Sequence, residues 1–185
     1  LIKIGGMAQV YRATDTRTNV QYALKILPLE MSRDPVLMMR FDEEAHNMRK
    51  VEHPNVVKLQ DLGEDFGDRY LVFDLAVGGS IGGQQCRDLS DVKGSLPEAE
   101  IVRIGRQVCE ALVHIHSLGI LHRDLKPGNV LVSGDRVLAA DFGIARGRGE
   151  SGMTMTGLPV GTPEYMSPEQ VQQEDPDHRS DLYSL

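Results

Sequence analysis

Apolar and polar positions along the first quarter of the chain follow a strand rhythm. Leu1 to Ile4, Val10 to Ala13 and Val20 to Leu27 read as strands, and the polar run Thr14-Asp15-Thr16-Arg17-Thr18-Asn19 is a hairpin-like break. The period then lengthens. Leu37, Phe41, Ala45 and Met48 recur at helical spacing, with Asp34 placed to cap the helix and Pro35 suited to its first turn. His53-Pro54-Asn55 ends that helix and leads into strand-like runs over Val56 to Leu62 and Arg69 to Leu75, which Gly78-Gly79 closes.

From Ile81 to Gly94 the chain is polar and aperiodic, and it reads as a linker helix plus loop. The clearest helix follows. Ser95 and Glu98 have capping-box spacing, Ile101, Ile104, Val108, Ala111, Leu112 and Ile115 form one apolar stripe, and Gly119 is a natural stop. Short strand-like pieces begin at Ile120. The run Arg146 to Gly161, rich in Gly, Met and Thr, has the composition of a mobile loop, and Ser180 to Leu185 reads as helix. A strand-rich part over 1–75, a hinge over 76–80 and a helical part over 81–185 predict an α+β chain in two lobes. Because it begins within a strand and stops within a helix, it reads as a fragment.

Composition narrows the classes. Hydrophobic residues make up 41% and charged residues 25% of 185 residues, a globular profile. Acidic side chains outnumber basic ones 27 to 20, and no basic run marks nucleic acid or an anionic membrane as partner. Cys86 and Cys109 lie in dissimilar settings, so a reduced compartment is the simpler reading. With no membrane-length apolar run and no secretory signal, the chain is expected in the cytoplasm without membrane contact of its own. Flanking segments could anchor a parent protein.

The chemistry concentrates in His122-Arg123-Asp124-Leu125-Lys126-Pro127-Gly128-Asn129, followed by Asp141-Phe142-Gly143. Phosphoryl transfer needs this set: a carboxylate to orient a hydroxyl, a cation for developing phosphate charge, and oxygen ligands for Mg²⁺. The spacing resembles the catalytic and metal-binding loops of the eukaryotic-type protein kinase family. That resemblance implies a two-lobed kinase fold, with a strand-rich N-lobe carrying one main helix and a mainly helical, incomplete C-lobe. It implies Asp124 as base or orienter, Lys126 on the transferred phosphoryl, and Asn129 with Asp141 as Mg²⁺ ligands. It makes His122 and Phe142 packing residues of an internal spine that Met48 extends.

Tyr22-Ala23-Leu24-Lys25-Ile26 is similar to the family strand whose lysine contacts the ATP α- and β-phosphates. That lysine needs a carboxylate on the helix. At 100° per residue Glu44 lies about 20° from Leu37 and about 40° from Met48, on the inward stripe, whereas Glu43 lies about 120° from Leu37 and should meet solvent. Glu44 is therefore the expected partner. Gly5-Gly6-Met7 resembles the phosphate loop of bacterial members, although Lys3 and Ala8 stand where the full pattern has glycine. The resemblance also places adenine among Val10, Ala23 and Leu131, makes Phe73 the gatekeeper, and gives the base edge to backbone groups of Asp74 and Ala76.

Gly161-Thr162-Pro163-Glu164-Tyr165-Met166-Ser167-Pro168-Glu169 resembles the family's A-P-E segment, with Ser167 in place of Ala. Lys126 and Thr162 match Ser/Thr-specific members, and Thr162 is expected to reach toward Asp124 and Lys126. Thr154 and Thr156 are candidate phosphosites, with Arg123 as a cation that could bind the phosphate. Asp181 fits the buried aspartate that supports the catalytic loop. Glu169 is expected to lack its usual arginine partner. The implied function is transfer of the ATP γ-phosphate to Ser/Thr hydroxyls of protein substrates, with self-association for autophosphorylation in trans. The altered glycine loop leaves a pseudokinase, binding nucleotide or a partner without transfer, as the alternative.

Overall fold

The computed structural model describes residues 1–4, 8–142 and 163–185. They divide into two compact units: residues 1–52 with 57–76, and residues 53–56 with 77–185.

The first unit is built on an antiparallel sheet of β1 (Lys3–Ile4), β2 (Gln9–Thr14), β3 (Gln21–Leu27), β4 (Leu59–Asp65) and β5 (Asp68–Asp74), in the order β1-β2-β3-β5-β4. The break between β2 and β3 is a turn closed by Asp15, whose carboxylate accepts from the Arg17 N–H and the Thr18 hydroxyl, both at 2.8 Å. Helix α1 (Leu29–Ser32) leads to α2 (Pro35–Met48). As the sequence predicts, Asp34 caps α2, accepting from Val36 N–H at 2.8 Å, and Pro35 occupies the first turn. Phe41, Ala45 and Met48 are buried, as are Leu27, Leu71 and Phe73 of the sheet. Each large apolar side chain removed from water contributes about 1.5–3 kcal/mol.

Strand β4 starts at Leu59, not at Val56 as the apolar run suggests. Val56 donates its N–H to the His53 carbonyl at 3.1 Å in a turn and bridges to Ala139, so residues 53–56 belong to the second unit. Asn55 anchors them there, its side-chain amide donating to Gln107 Oε1 at 2.9 Å and the Val137 carbonyl at 3.0 Å.

The second unit holds β6 (Gly78–Ile81), β7 (Gln84–Cys86), β8 (Val130–Gly134) and β9 (Arg136–Ala139) in the order β7-β6-β8-β9, with β6 parallel to β8. Gly78 and Gly79 therefore open a strand and do not close a block. A Cβ on Gly79 would stand 2.2 Å from the Gly134 carbonyl oxygen, so only glycine permits this approach. The 81–94 stretch contains no linker helix. Gly82 (φ 54°) and Gly83 (φ 80°) make a tight hairpin turn between β6 and β7, and only a short 3₁₀ turn, Leu89–Asp91, follows.

Helix α3 (Glu98–Ser117) carries the apolar stripe. Ile104, Val108, Ala111, Leu112 and Ile115 are buried, but Ile101 is 56% exposed. It lies in the first turn, at an open apolar pocket shared with Leu89, Val92 and Leu96. The expected capping box is absent. Pro97, with extended backbone, precedes the first helical residue, which puts Ser95 too far out to cap. Gly119 (φ 73°) ends the helix as expected, with the Ile120 N–H returning to the Ile115 carbonyl at 3.0 Å. Short helices α4 (Pro168–Val171) and α5 (His178–Tyr183) complete the unit. The terminal helix starts two residues before the apolar pattern suggests because Asp177 caps it, accepting from Arg179 N–H at 2.8 Å. The chain is an α+β assembly, with a strand-rich first unit and the long helix in the second.

Candidate active site

In the first unit the sheet register assembles one face. Val10 stands opposite Lys25, Lys25 opposite Leu71, and Ala23 opposite Phe73. Opposed residues and residues two apart share a face, so Val10, Ala23, Lys25 and Phe73 lie together. Helix α2 meets this face through Glu44, whose two carboxylate oxygens lie 2.6 and 2.8 Å from Lys25 Nζ. Both side chains are largely buried, whereas Glu43 is exposed. The helical-wheel argument thus selects the correct carboxylate. Breaking such a buried pair by removing one partner costs about 3–5 kcal/mol. Arg69 of β5 also pairs with Asp42 of α2, a second tie between helix and sheet. Asp74 donates its N–H to the Lys58 carbonyl at 3.0 Å, so a base edge there falls to its own carbonyl.

In the second unit the catalytic-loop residues converge. Lys126 Nζ lies 2.8 Å from Asp124 Oδ2. The buried Asn129 donates its side-chain amide to the Asp124 carbonyl at 2.9 Å and to Asp124 Oδ2 at 2.8 Å. The Asn129 carbonyl accepts from Ala140 N–H at 2.9 Å, which fixes Asp141 beside the loop. The backbone carries two unusual residues, Arg123 (φ 63°) and Asp141 (φ 52°). Left-handed backbone at non-glycine positions costs about 1–3 kcal/mol and persists only where surroundings enforce it.

The enforcement is visible. Asp181 of α5, 1% exposed, accepts from His122 N–H at 2.8 Å and from Arg123 N–H at 2.7 Å. The Asp124 N–H turns back to the His122 carbonyl at 2.9 Å. His122 is fully buried and stacks on Phe142, ring centroids 4.8 Å apart. Burial pushes its imidazole below the ordinary value near 6.5, over the opposing pull of Asp181, Asp124 and Asp141. The ring is therefore neutral packing, not a proton carrier.

Every described residue expected at the site is accounted for on one unit or the other. Val10, Ala23, Lys25, Glu44, Phe73, Asp74 and Ala76 lie on the first; Asp124, Lys126, Asn129, Leu131 and Asp141 on the second. Gly5, Gly6, Thr154, Thr156 and Thr162, and the run 146–161, lie outside the described residues. Glu169 is not unpaired as expected: it accepts from the Ser180 hydroxyl. Sequence reasoning missed two supports. His116 Nε2 lies 2.8 Å from Asp181 Oδ2, and the Gln170 amide donates to the Arg123 carbonyl at 2.8 Å. His116 sits on the polar side of an amphipathic helix, where nothing distinguishes it from a solvated residue.

The donor set fits a hard divalent cation. Asn129 and Asp141 bring oxygen atoms, and with the Asn129 amide nitrogen engaged on Asp124 its amide oxygen is the coordinating group.

Known proteins share this sequence and architecture. A family model described as "Protein kinase domain" matches residues 2–185. The "Probable serine/threonine-protein kinase PknB" of Bifidobacterium longum is 40% identical over 197 residues, covering 100% of this chain and 28% of that protein. The "Serine/threonine-protein kinase PknB" of Mycobacterium leprae is 36% identical over 191 residues, covering 100% of this chain and 30% of that protein. The chain thus spans under a third of the length of these curated relatives. The crystal structure of the Mycobacterium tuberculosis PknI kinase domain superposes with a TM-score of 0.71 at 29% identity, covering 99% of this chain and 67% of that one. On the match across residues 2–185 and these full-coverage relatives, the chain belongs to the protein kinase family.

Proposed function

We propose that the protein carrying this chain is a Ser/Thr protein kinase that uses Mg²⁺-ATP. The observation that carries the reading is the Asp124, Lys126 and Asn129 cluster, held at 2.8 Å contacts on a loop whose strained backbone Asp181 pins. Asp124 orients the acceptor hydroxyl and takes its proton as the new P–O bond forms and the bond to the ADP leaving oxygen breaks. Lys126 neutralises charge on the transferred phosphoryl. Lys25, oriented by Glu44, holds the α- and β-phosphates. Asn129 and Asp141 would hold Mg²⁺, which when bound offsets the negative charge of the phosphates. Little covalent work falls to the protein: the gain comes from positioning and fixed charge.

Lys126 two residues after Asp124 and Thr162 before Pro163 support Ser/Thr acceptors, as do the relatives' names. Thr154 and Thr156 are the proposed autophosphorylation sites, modified in trans by a second copy, with Arg123 receiving the phosphate. A cytoplasmic setting is consistent with Cys86 and Cys109 both being free thiols and with no described helix long and apolar enough to cross a membrane. The test is phosphoamino-acid analysis of a mixed Ser/Thr/Tyr peptide substrate incubated with the full-length protein and Mg²⁺-ATP. Phosphoserine or phosphothreonine is expected. Phosphotyrosine alone, or no label, refutes the reading.

A further inference from the structure

Gln170 makes a bridge that the reaction scheme above does not use. Its Oε1 accepts from the Ser167 N–H at 3.1 Å and the Ser167 hydroxyl at 3.3 Å, closing the start of α4. Its Nε2 donates to the Arg123 carbonyl at 2.8 Å, across 47 residues of sequence. That carbonyl belongs to the peptide plane leading into the Asp124 Cα, and the N–H of the same plane is the one turned back to His122. The plane before it is pinned at Arg123 N–H by Asp181. Arg123 is thus held on both sides in a backbone conformation that it would not adopt alone.

We propose that Gln170 is a positioning residue for phosphoryl transfer: it fixes the peptide that aims Asp124, and so ties the segment after Pro163 to the catalytic loop. The proposal rests on Asp124 being the group that orients the acceptor hydroxyl. The tie is rigid at its far end. The Ser184 hydroxyl of α5 donates to the Tyr165 carbonyl at 2.6 Å, and the Ser180 hydroxyl to Glu169. Ser167, buried at the start of α4, gives Gln170 a fixed base from which to reach. The geometry also explains why a glutamine suits this position. A glutamate would serve the helix start equally well, but only an amide also donates to a carbonyl.

That difference supplies the test. Gln170→Glu keeps the acceptor for Ser167 and loses the donor to Arg123; Gln170→Met loses both. In the full-length protein, kcat for a Ser/Thr peptide, KM for ATP, thermal midpoint and amide exchange at Asp124 are measured for both variants and the unaltered protein. The expected result is a kcat about tenfold to a hundredfold lower in both variants. KM for ATP stays within about twofold, because Lys25 and Glu44 are untouched. Gln170→Glu keeps its thermal midpoint, and its Asp124 amide exchanges faster. A wild-type kcat in Gln170→Glu beside a depressed one in Gln170→Met would reduce Gln170 to a helix cap and overturn the proposal. If the unaltered protein transfers no phosphate, the kinase reading fails on its own. The Asp124 exchange then decides this point separately: faster in Gln170→Glu supports the tie, and unchanged overturns it.

Discussion

Asp181 Oδ1 accepts the Arg123 N–H at 2.7 Å, with the carboxylate almost wholly buried. One side chain on α5 thereby holds a left-handed residue next to the presumed catalytic aspartate, while its other oxygen serves His122 N–H and the His116 ring. Asp181→Ala strands these donors in the interior. A loss of about 2–4 kcal/mol in urea unfolding is expected, together with a fall in kcat. Asp181→Asn, which keeps an acceptor, should lose less. Equal stability of Asp181→Ala and the parent would contradict this role.

Lys25 and Glu44 should act as one unit. Lys25→Met and Glu44→Gln are each expected to lower kcat/KM, and the double variant should lose much less than the sum, with a coupling of about 1–3 kcal/mol. Strict additivity in that cycle would mean that Glu44 does not act through Lys25.

Acid should weaken the fold through its buried imidazoles. His122 is held below the ordinary value near 6.5 by burial, and His53 is lowered by burial and by the stacked His114, against a raising pull from Glu110. As pH falls through the unfolded value, the unfolded chain takes up these protons first, so stability is intact above about pH 6.5 and declines below it. The lowered carboxylates, such as Asp177 at about 2, lose their contribution only in stronger acid. Between about pH 7.5 and about pH 5.5 the imidazoles therefore dominate. Neither His122 ring nitrogen meets a well-placed hydrogen-bond partner among the described residues, so His122→Phe should fold well. Its thermal midpoint should fall less over that range than the parent's. An identical fall in both proteins would assign the acid sensitivity elsewhere.

Local chemistry explains which parts of the fold were legible in the sequence. The Asp34 cap, the Gly119 stop and the choice of Glu44 over Glu43 each depend on neighbours within a few turns of chain, where periodicity and capping rules act. The β6–β7 hairpin was not legible, because its glycines at positive φ sit among polar residues with no alternation. Pro97 displaced a capping box that spacing alone favoured. At the site, the catalytic loop and Asp141 could be read directly from spacing. Its supports could not: Gln170 and His116 reach their partners across 47 and 65 residues, and neither stands in a pattern that separates it from an ordinary surface polar residue.

The central claim is that Asp141 and the Asp124 loop together carry metal-dependent transfer to protein hydroxyls. The most direct measurement incubates the full-length protein with Mg²⁺-ATP, alongside Asp141→Asn and Asp124→Asn, and maps phosphosites by mass spectrometry. The account predicts phosphate on Thr154 or Thr156 in the parent, and a loss of at least about a hundredfold in both variants. ATP binding with no phosphate on the protein or on a Ser/Thr substrate would contradict it. That outcome would make the chain a nucleotide-binding pseudokinase, with Lys3 and Ala8 of the glycine loop as the first residues to restore.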